Sequence, residues 1–205
     1  MLSVRRSWIE GVSAKSAVDL DRRGCSRIHT LLRVAMVTRR HDVGLWRMRN
    51  ISDGGMMMLT RVEVTKGERM SISLSDGIAI EGEAAWWDGE RCGVAFDRPV
   101  DCATLLERLV ADQKAPRYRP LRLPVRTRAV AYCEKGMHSV QLHNISQHGA
   151  GLSHDGCLTP GMNAMLHFPA GDDYRGVVRW AKDKRAGLFL TEPIPFARLE
   201  SAMLF

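Results

Sequence analysis

The chain has 205 residues, of which 45% are hydrophobic and 26% are charged, and its formal net charge is +7. These values are typical of a globular protein with one large domain or two domains of about 100 residues. The positive charge indicates that the favoured partners are anionic.

No apolar run approaches the roughly 18 residues of a membrane span, and the basic N-terminal residues are not followed by the apolar stretch of a secretory signal. The five cysteines stand at irregular spacings, which is not the pattern of a disulfide framework. We therefore expect a cytoplasmic protein without a membrane span.

Positive charge is concentrated in two stretches of the chain. Residues 22–40 contain six arginines, residues 114–128 contain six arginines or lysines, and neither stretch contains an acidic residue. Each stretch begins upstream of one copy of the hexamer Asn-x-Ser-x-x-Gly, which reads NISDGG at 50–55 and NISQHG at 144–149. A charged run is usually a solvated surface, but its repetition beside the same hexamer favours a binding role.

The hexamers belong to a longer internal repeat with an offset of 94 positions (144 minus 50). With this offset Gly93 falls on Gly187, and Trp87 meets Trp180 after a one-residue slip. A repeat of this length indicates two copies of one module. We predict domains at residues 21–112 and 113–205, preceded by a flexible segment at residues 1–20.

Short strands separated by turn residues dominate each copy. RMSISLS, AVAY and SVQLH alternate apolar and polar residues, as half-buried strands do. DCATLLERLVADQ predicts a helix that is capped by Asp101 and buries one face, formed by Leu105, Leu106, Leu109 and Val110. PFARLESAMLF predicts a shorter helix. The fold prediction is all-β, with two tandem six-stranded antiparallel β-barrels that each end in a helix.

The side chains of the hexamer are suited to hydrogen bonding on one face of a strand. Asn50 offers one acceptor and two donors, and Ser52 adds a hydroxyl on the same face. Gly55 allows a close backbone approach or a positive φ. A structural Asx-turn is the alternative interpretation of a single copy. An N-glycosylation site is a second alternative, which the lack of a secretion signal disfavours.

Arg23 and Arg27 are four residues apart and precede the hexamer. The arginine side chain binds phosphate or a guanine edge with two parallel hydrogen bonds. The order RxxxR, about two dozen residues and then [D/N]xSxxG resembles the PilZ family of cyclic di-GMP receptors. The runs from Gly67 to Leu74, AAWW and GVAF are also similar to that family. The resemblance covers two copies and nearly the whole chain.

The resemblance implies a ligand and a role for each matching residue. Arg23 and Arg27 would hold the phosphates and guanine edges of cyclic di-GMP, and Arg22 would add a further contact. Asn50 and Ser52 would read a second guanine edge, with Gly55 allowing close approach. The family fold is a six-stranded barrel with a C-terminal helix.

The second copy departs from this pattern. Aligning QKAPR, residues 113–117, with RxxxR puts Gln113 at the first arginine position. We therefore expect a weaker second site, formed by Arg117, Asn144, Ser146 and Gly149, or no site at all. A degenerate second module would serve as a surface for a protein partner.

Other candidate sites have less support. Cys133, His138, His143 and His148 are spaced by five residues, which matches no compact zinc pattern, so no metal is predicted. In a strand Trp86 and Trp87 would face opposite sides, one in the core and one free for a ligand or an interface.

The sequence contains no catalytic motif, Walker loop or dinucleotide fingerprint, so we predict a receptor or adaptor and not an enzyme, without a cofactor. One alternative is a PilZ-like interaction adaptor that binds no nucleotide. The other is a basic barrel that binds single-stranded nucleic acid, which the aromatic content of 6% disfavours.

Overall fold

A computed structural model describes residues 18–20, 26–116 and 118–205, with side chains from Arg33 onward except at position 117. Most of the expected flexible segment at residues 1–20 lies outside this part of the chain. Its last three residues form a short strand, β1 (Val18–Leu20), which pairs with the strand that follows.

Seven strands form the first sheet. They are β1, β2 (Ser26–Arg39), β3 (Val43–Ser52), β4 (Gly55–Leu59), β5 (Arg69–Ser75), β6 (Ile78–Trp87) and β7 (Arg91–Phe96). Their order is β1-β2-β3-β4-β7-β6-β5, and a further pairing of β2 with β5 closes the six strands from β2 to β7 into an antiparallel barrel. β1 pairs with the first three residues of β2, Ser26 to Ile28, and extends the sheet there.

The second sheet repeats the arrangement. Its strands are β8 (Leu123–Pro124), β9 (Arg128–Cys133), β10 (Gly136–Ser146), β11 (Gly149–Ser153), β12 (Asn163–His167), β13 (Asp173–Lys182) and β14 (Arg185–Leu190). The order is β11-β14-β13-β12-β9-β10-β8, and β10 also pairs with β11 to close a six-stranded barrel. The predicted pair of six-stranded barrels is confirmed.

Alternation of apolar and polar residues produces these strands. In β5, Met70, Ile72 and Leu74 point into the barrel while the residues between them are partly exposed. In β9, Ala129 and Ala131 do the same. Each barrel encloses its own core of buried side chains, and burial of apolar surface is the main force that stabilises it.

The helix α1 (Cys102–Lys114) ends the first module, as predicted. The backbone N–H of Thr104 donates to the Asp101 side chain, which caps the helix at a distance of 3.1 Å. Leu105 and Leu109 are buried, but Val110 is 48% exposed, so its predicted place on the buried face was wrong. Successive helical residues differ by about 100° in direction, and Val110 turns away from the barrel beside the buried Leu109.

The second module ends in a shorter helix, α2 (Phe196–Leu199), followed by a 3-10 turn at Ala202–Leu204. This C-terminal segment packs against β3 of the first barrel. The Trp46 indole N–H donates to the Glu200 carbonyl oxygen at 2.9 Å. Within residues 18–20, 26–116 and 118–205, no helix has the length and apolar character to cross a membrane.

Candidate functional site

The first hexamer spans the turn between β3 and β4. A β-bulge between Met48 and Asn50 shifts the pairing of the two strands just before the hexamer begins. Asn50 is only 8% exposed, and the Ser52 hydroxyl donates to the Gly55 carbonyl oxygen at 3.2 Å. A bulge commonly redirects side chains beside a functional site, and here it precedes the two polar side chains of the motif.

Gly55 is required by strand packing. A Cβ at this position would collide with the Val94 carbonyl oxygen of the neighbouring strand β7. Gly55 is not among the residues with positive φ. Of the two expected roles of Gly55, the structure contains the close approach and not the positive φ. The approach is between the backbones of two neighbouring strands of the barrel.

A cavity of about 280 Å³ opens beside the hexamer. Its lining includes Asn50, Ser52 and Gly55 from β3 and β4, together with Trp86 from β6 and Gly93 from β7. The cavity therefore combines amide and hydroxyl groups with the indole ring of Trp86. This residue is 43% exposed. Such a surface can hydrogen-bond the edge of a planar ligand and stack on its face.

The position of Trp86 depends on Gly93. The two residues pair across β6 and β7 after a bulge between Ala84 and Trp86. A Cβ at Gly93 would collide with the Trp86 indole, so the absence of a side chain lets the ring lie flat across the neighbouring strand. Trp87, in contrast, packs against the first core.

The same pair of residue types occurs in the second barrel. Trp180 pairs with Gly187 across β13 and β14, and a Cβ at Gly187 would collide with the indole of Trp180. Trp180 therefore corresponds to Trp86 at the unmodified offset of 94. The predicted match of Trp180 with Trp87 through a one-residue slip was wrong, since adjacent strand residues face opposite sides.

The predicted arginines are only partly within the described residues. Arg22 and Arg23 lie outside them, and Arg27 is described by its backbone in β2 but not by its side chain. Next to Arg27, Ile28 pairs with Ile51, so the backbone of Arg27 lies alongside the end of β3 that carries the hexamer.

The strand register of the second barrel corrects the alignment of its arginines. In the second barrel Leu123 pairs with Ile145 and Pro124 pairs with Asn144. In the first barrel Ile28 pairs with Ile51 and His29 pairs with Asn50. Leu123 therefore corresponds to Ile28, with an offset of 95 (123 minus 28). The residue that corresponds to Arg27 is therefore Arg122.

Four residues before Arg122, Tyr118 takes the position of Arg23. Gln113, the residue aligned with Arg23 in the sequence, lies in α1 and not on the strand that approaches the hexamer. Arg117, which the sequence analysis placed in the second site, lies outside the described residues.

Arg122 contacts the second hexamer directly. Its Nη1 donates to the Asn144 side-chain oxygen at 3.0 Å. The Ser146 hydroxyl donates to the Gly149 carbonyl oxygen at 3.4 Å, which repeats the turn of the first hexamer. The sequence analysis did not identify Arg122. A search for the RxxxR spacing that allows another residue at the first position would have found it, with Tyr118 at that first position.

Asp53 links the first hexamer to α1. Its carbonyl oxygen accepts from the Val100 N–H at 2.8 Å, and its carboxylate accepts from the Cys102 N–H at 3.2 Å. Burial, followed by hydrogen bonding to Asp53, raises the pKa of the Cys102 thiol to about 12. The turn of the hexamer is thus connected to the beginning of the helix.

The four residues considered for a metal do not form one group. His143 contacts the Ser153 hydroxyl, and the His148 ring stacks on Phe189. His138 instead lies beside Asp155, with 2.9 Å between Nδ1 and Oδ2.

Sequence comparison identifies the family. The PilZ domain model matches residues 21–112 and again residues 113–197. The chain therefore belongs to the PilZ domain family and carries two PilZ domains in tandem, which confirms the resemblance seen in the motifs. No curated protein matches the chain in sequence.

Several solved structures are similar to this chain. The Borreliella burgdorferi PlzA protein in complex with c-di-GMP is 11% identical, with a TM-score of 0.34 and coverage of 85% of this chain and 86% of that one. The MrkH–c-di-GMP complex of K. pneumonia is 16% identical, with a TM-score of 0.30 and coverage of 78% and 79%. The Bacillus subtilis inhibitor of motility MotI is 10% identical, with a TM-score of 0.31 and coverage of 82% and 91%.

Proposed function

We propose that this tandem PilZ protein is a receptor for cyclic di-GMP without catalytic activity, and that its principal site lies on the first barrel. The observation that carries the proposal is the cavity beside the first hexamer, where Asn50, Ser52 and Trp86 line one space. The backbone of Arg27 lies alongside the same end of β3.

Each part of this site suits a part of the ligand. The Asn50 amide can donate to and accept from a guanine edge, and the Ser52 hydroxyl can do both. The Trp86 indole offers a stacking surface for a purine, and stacking of this kind contributes about 1–3 kcal/mol per base. The arginines of the RxxxR motif would bind the phosphates and the O6 and N7 edge of guanine.

The cavity is only one part of the proposed site. At about 280 Å³ it is slightly smaller than typical small-molecule sites, which measure about 300–1,000 Å³. In our proposal the segment with Arg22 and Arg23 folds over the bound nucleotide. A ligand that prefers this closed arrangement would shift the population toward it and change the surface shown to a protein partner.

We assign the second barrel a weaker site or none. Its hexamer retains Asn144 and Ser146, and Arg122 occupies the position of Arg27. Arg122 already donates to Asn144, so a ligand would have to replace this hydrogen bond. Tyr118 at the position of Arg23 removes one bidentate phosphate donor.

Isothermal titration calorimetry of the full chain with cyclic di-GMP tests the proposal. We expect micromolar or tighter binding, and we expect Arg23→Ala and Arg27→Ala each to abolish it without changing the far-UV circular dichroism spectrum. Arg122→Ala is the matched control in the second barrel and should leave the tighter site unchanged.

Different outcomes would support different functions. Retained affinity in both Arg23→Ala and Arg27→Ala would contradict the proposed site. No binding by the unaltered chain would favour the adaptor without nucleotide. Binding of single-stranded nucleic acid that falls steeply with salt would favour the nucleic-acid-binding alternative.

A further inference from the structure

Three potential metal ligands meet on the second barrel, in a place that the nucleotide proposal does not use. His138 lies near the start of β10, and Asp155 and Cys157 lie in the loop after β11. One ligand atom of each residue lies within 4.8 Å of the other two. These atoms are a ring nitrogen of His138, a carboxylate oxygen of Asp155 and the sulfur of Cys157. The barrel thus brings together residues that are 17 and 19 positions apart (155 minus 138 and 157 minus 138).

The types of donor indicate the metal. Imidazole, thiolate and carboxylate are all zinc ligands, at about 2.0–2.3 Å from the ion. In a tetrahedral site such donors are about 3.3–3.8 Å apart. The 2.9 Å between His138 Nδ1 and Asp155 Oδ2 is shorter than this spacing, so these two side chains would have to move apart to admit the ion. The side chains of His138 and Asp155 have relative exposures of 21% and 59%, which leaves them room to move.

The loop holds the buried thiol in place. Cys157 is 7% exposed, and its backbone N–H donates to the Asp155 carboxylate at 2.9 Å. The backbone N–H groups of Gly156 and Leu158 donate to Nδ1 of His154 at 3.1 and 3.2 Å. These bonds fix the segment on both sides of Cys157, so less conformational freedom would be lost when the cysteine binds an ion.

Another thiol lies on the hairpin that carries His138. Cys133 ends β9, on the same hairpin as His138, and pairs in register with Gly136. Burial, then the Asp155 carboxylate and the Cys133 thiol, raise the pKa of the Cys157 thiol to about 12. Among the described residues, the group of metal ligands within 4.8 Å of one another contains Cys157 and not Cys133.

We propose that His138, Asp155 and Cys157 bind Zn²⁺, with a water molecule as the fourth ligand. Zinc would join the hairpin of β9 and β10 to the loop after β11. On binding, the Cys157 thiol would lose its proton to solvent.

Another His–Asp pair on the same barrel provides a matched control. His167 Nδ1 lies 2.7 Å from the Asp173 carboxylate. Among the described residues, no cysteine joins this pair in a group of three metal ligands. The pair has the same two residue types on the same fold, and it is expected to show no comparable affinity for zinc.

Cobalt substitution tests the proposal. The full chain, with Cys25→Ser to remove a thiol outside the described residues, is reduced, stripped with a chelator and titrated with Co²⁺. We expect one equivalent to bind, with a sulfur-to-cobalt charge-transfer band and the visible spectrum of tetrahedral cobalt, and we expect Zn²⁺ to abolish both. The melting temperature should rise with the Zn²⁺ concentration.

Variants distinguish the site from adventitious binding. Cys157→Ser should abolish the charge-transfer band, and His138→Ala should weaken Co²⁺ binding by at least about tenfold, while His167→Ala should change neither. Circular dichroism verifies that each variant is folded. Cys133→Ser should leave the band unchanged, because Cys133 is not one of the three ligands that lie together. An unaltered chain without the band, or a band that persists in Cys157→Ser, would overturn the proposal.

Discussion

Trp86 and Gly93 show how one residue without a side chain determines the position of another. The indole lies over the glycine at the entrance of the cavity, where no other residue type leaves enough room. Trp86 is 43% exposed and does not belong to the first core. The orientation of the Trp86 indole therefore shapes the cavity and has little effect on the packing of the core.

Gly93→Ala is expected to weaken cyclic di-GMP binding while leaving the stability nearly unchanged. The added methyl group would displace the Trp86 ring from the stacking position. Calorimetric titration measures the affinity, and urea unfolding measures the stability. Gly187→Ala, the equivalent change beneath Trp180, is the control. Equal affinity in Gly93→Ala and the unaltered chain would mean that the position of the indole does not contribute.

At the scale of elements, α1 is tied to the barrel at both ends. Asp101 caps its first turn, and Asp53 of the first hexamer accepts a hydrogen bond from the first helical residue, Cys102. Toward the other end, Arg33 donates to the Leu109 carbonyl oxygen at 2.7 Å. The position of the helix is therefore coupled to the turn that would contact the ligand.

Asp101→Ala should lower the stability, and the loss should depend on pH. Hydrogen bonds from Thr104 lower the pKa of the Asp101 carboxyl below its ordinary value. The contribution of the cap is therefore present above the unfolded pKa of about 3.9, and it is lost as the pH falls through the lower folded pKa.

Urea unfolding at a series of pH values measures this effect. The difference between Asp101→Ala and the unaltered chain should be largest near neutral pH and should shrink in acid. Asp101→Asn keeps the hydrogen-bond acceptor and should lose less stability. A difference that is the same at neutral and strongly acidic pH would contradict the role of the ionised cap.

On the scale of the whole molecule, β3 connects the two barrels. Leu45 of this strand is buried in the core of the second barrel, and a Cβ at Gly44 would collide with the Glu200 carbonyl oxygen. The Arg47 guanidinium lies over the Phe196 ring at 4.7 Å. The same strand ends in the first hexamer, so the candidate site and the contact between barrels share one element.

Glu200→Ala should destabilise the protein by about 1–3 kcal/mol. The Glu200 side chain is buried, and its carboxylate accepts from the Arg61 backbone N–H at 2.7 Å. Removing it leaves this donor without its partner. Urea unfolding measures the change, with the exposed Glu192→Ala as the control. If both variants unfold at the same denaturant concentration, Glu200 does not contribute to the contact between barrels.

Much of the fold could be predicted because its causes are local. The alternation in RMSISLS corresponds to β5, and the sequence DCATLLERLVADQ corresponds to α1 with Asp101 as its cap. The repeated hexamer indicated two modules because each copy forms the same turn between the same two strands. These features depend on residues close together in the chain.

The errors came from pairings between strands. Arg122 was missed because QKAPR was aligned with the RxxxR motif at an offset of 90 (113 minus 23), whereas the strand pairing gives an offset of 95 (123 minus 28). Trp86 was confused with Trp87 because a bulge determines which indole faces outward.

The sequence by itself determined the family, the two barrels and the motifs of the candidate site. Periodicity, capping and the hexamer all act over a few residues and can be recognised in a single chain. The tertiary structure alone decided which tryptophan lines the cavity. It also decided that His138 meets Asp155 and Cys157. These outcomes depend on strand register and barrel closure, which bring together residues far apart in the chain and leave no local signal.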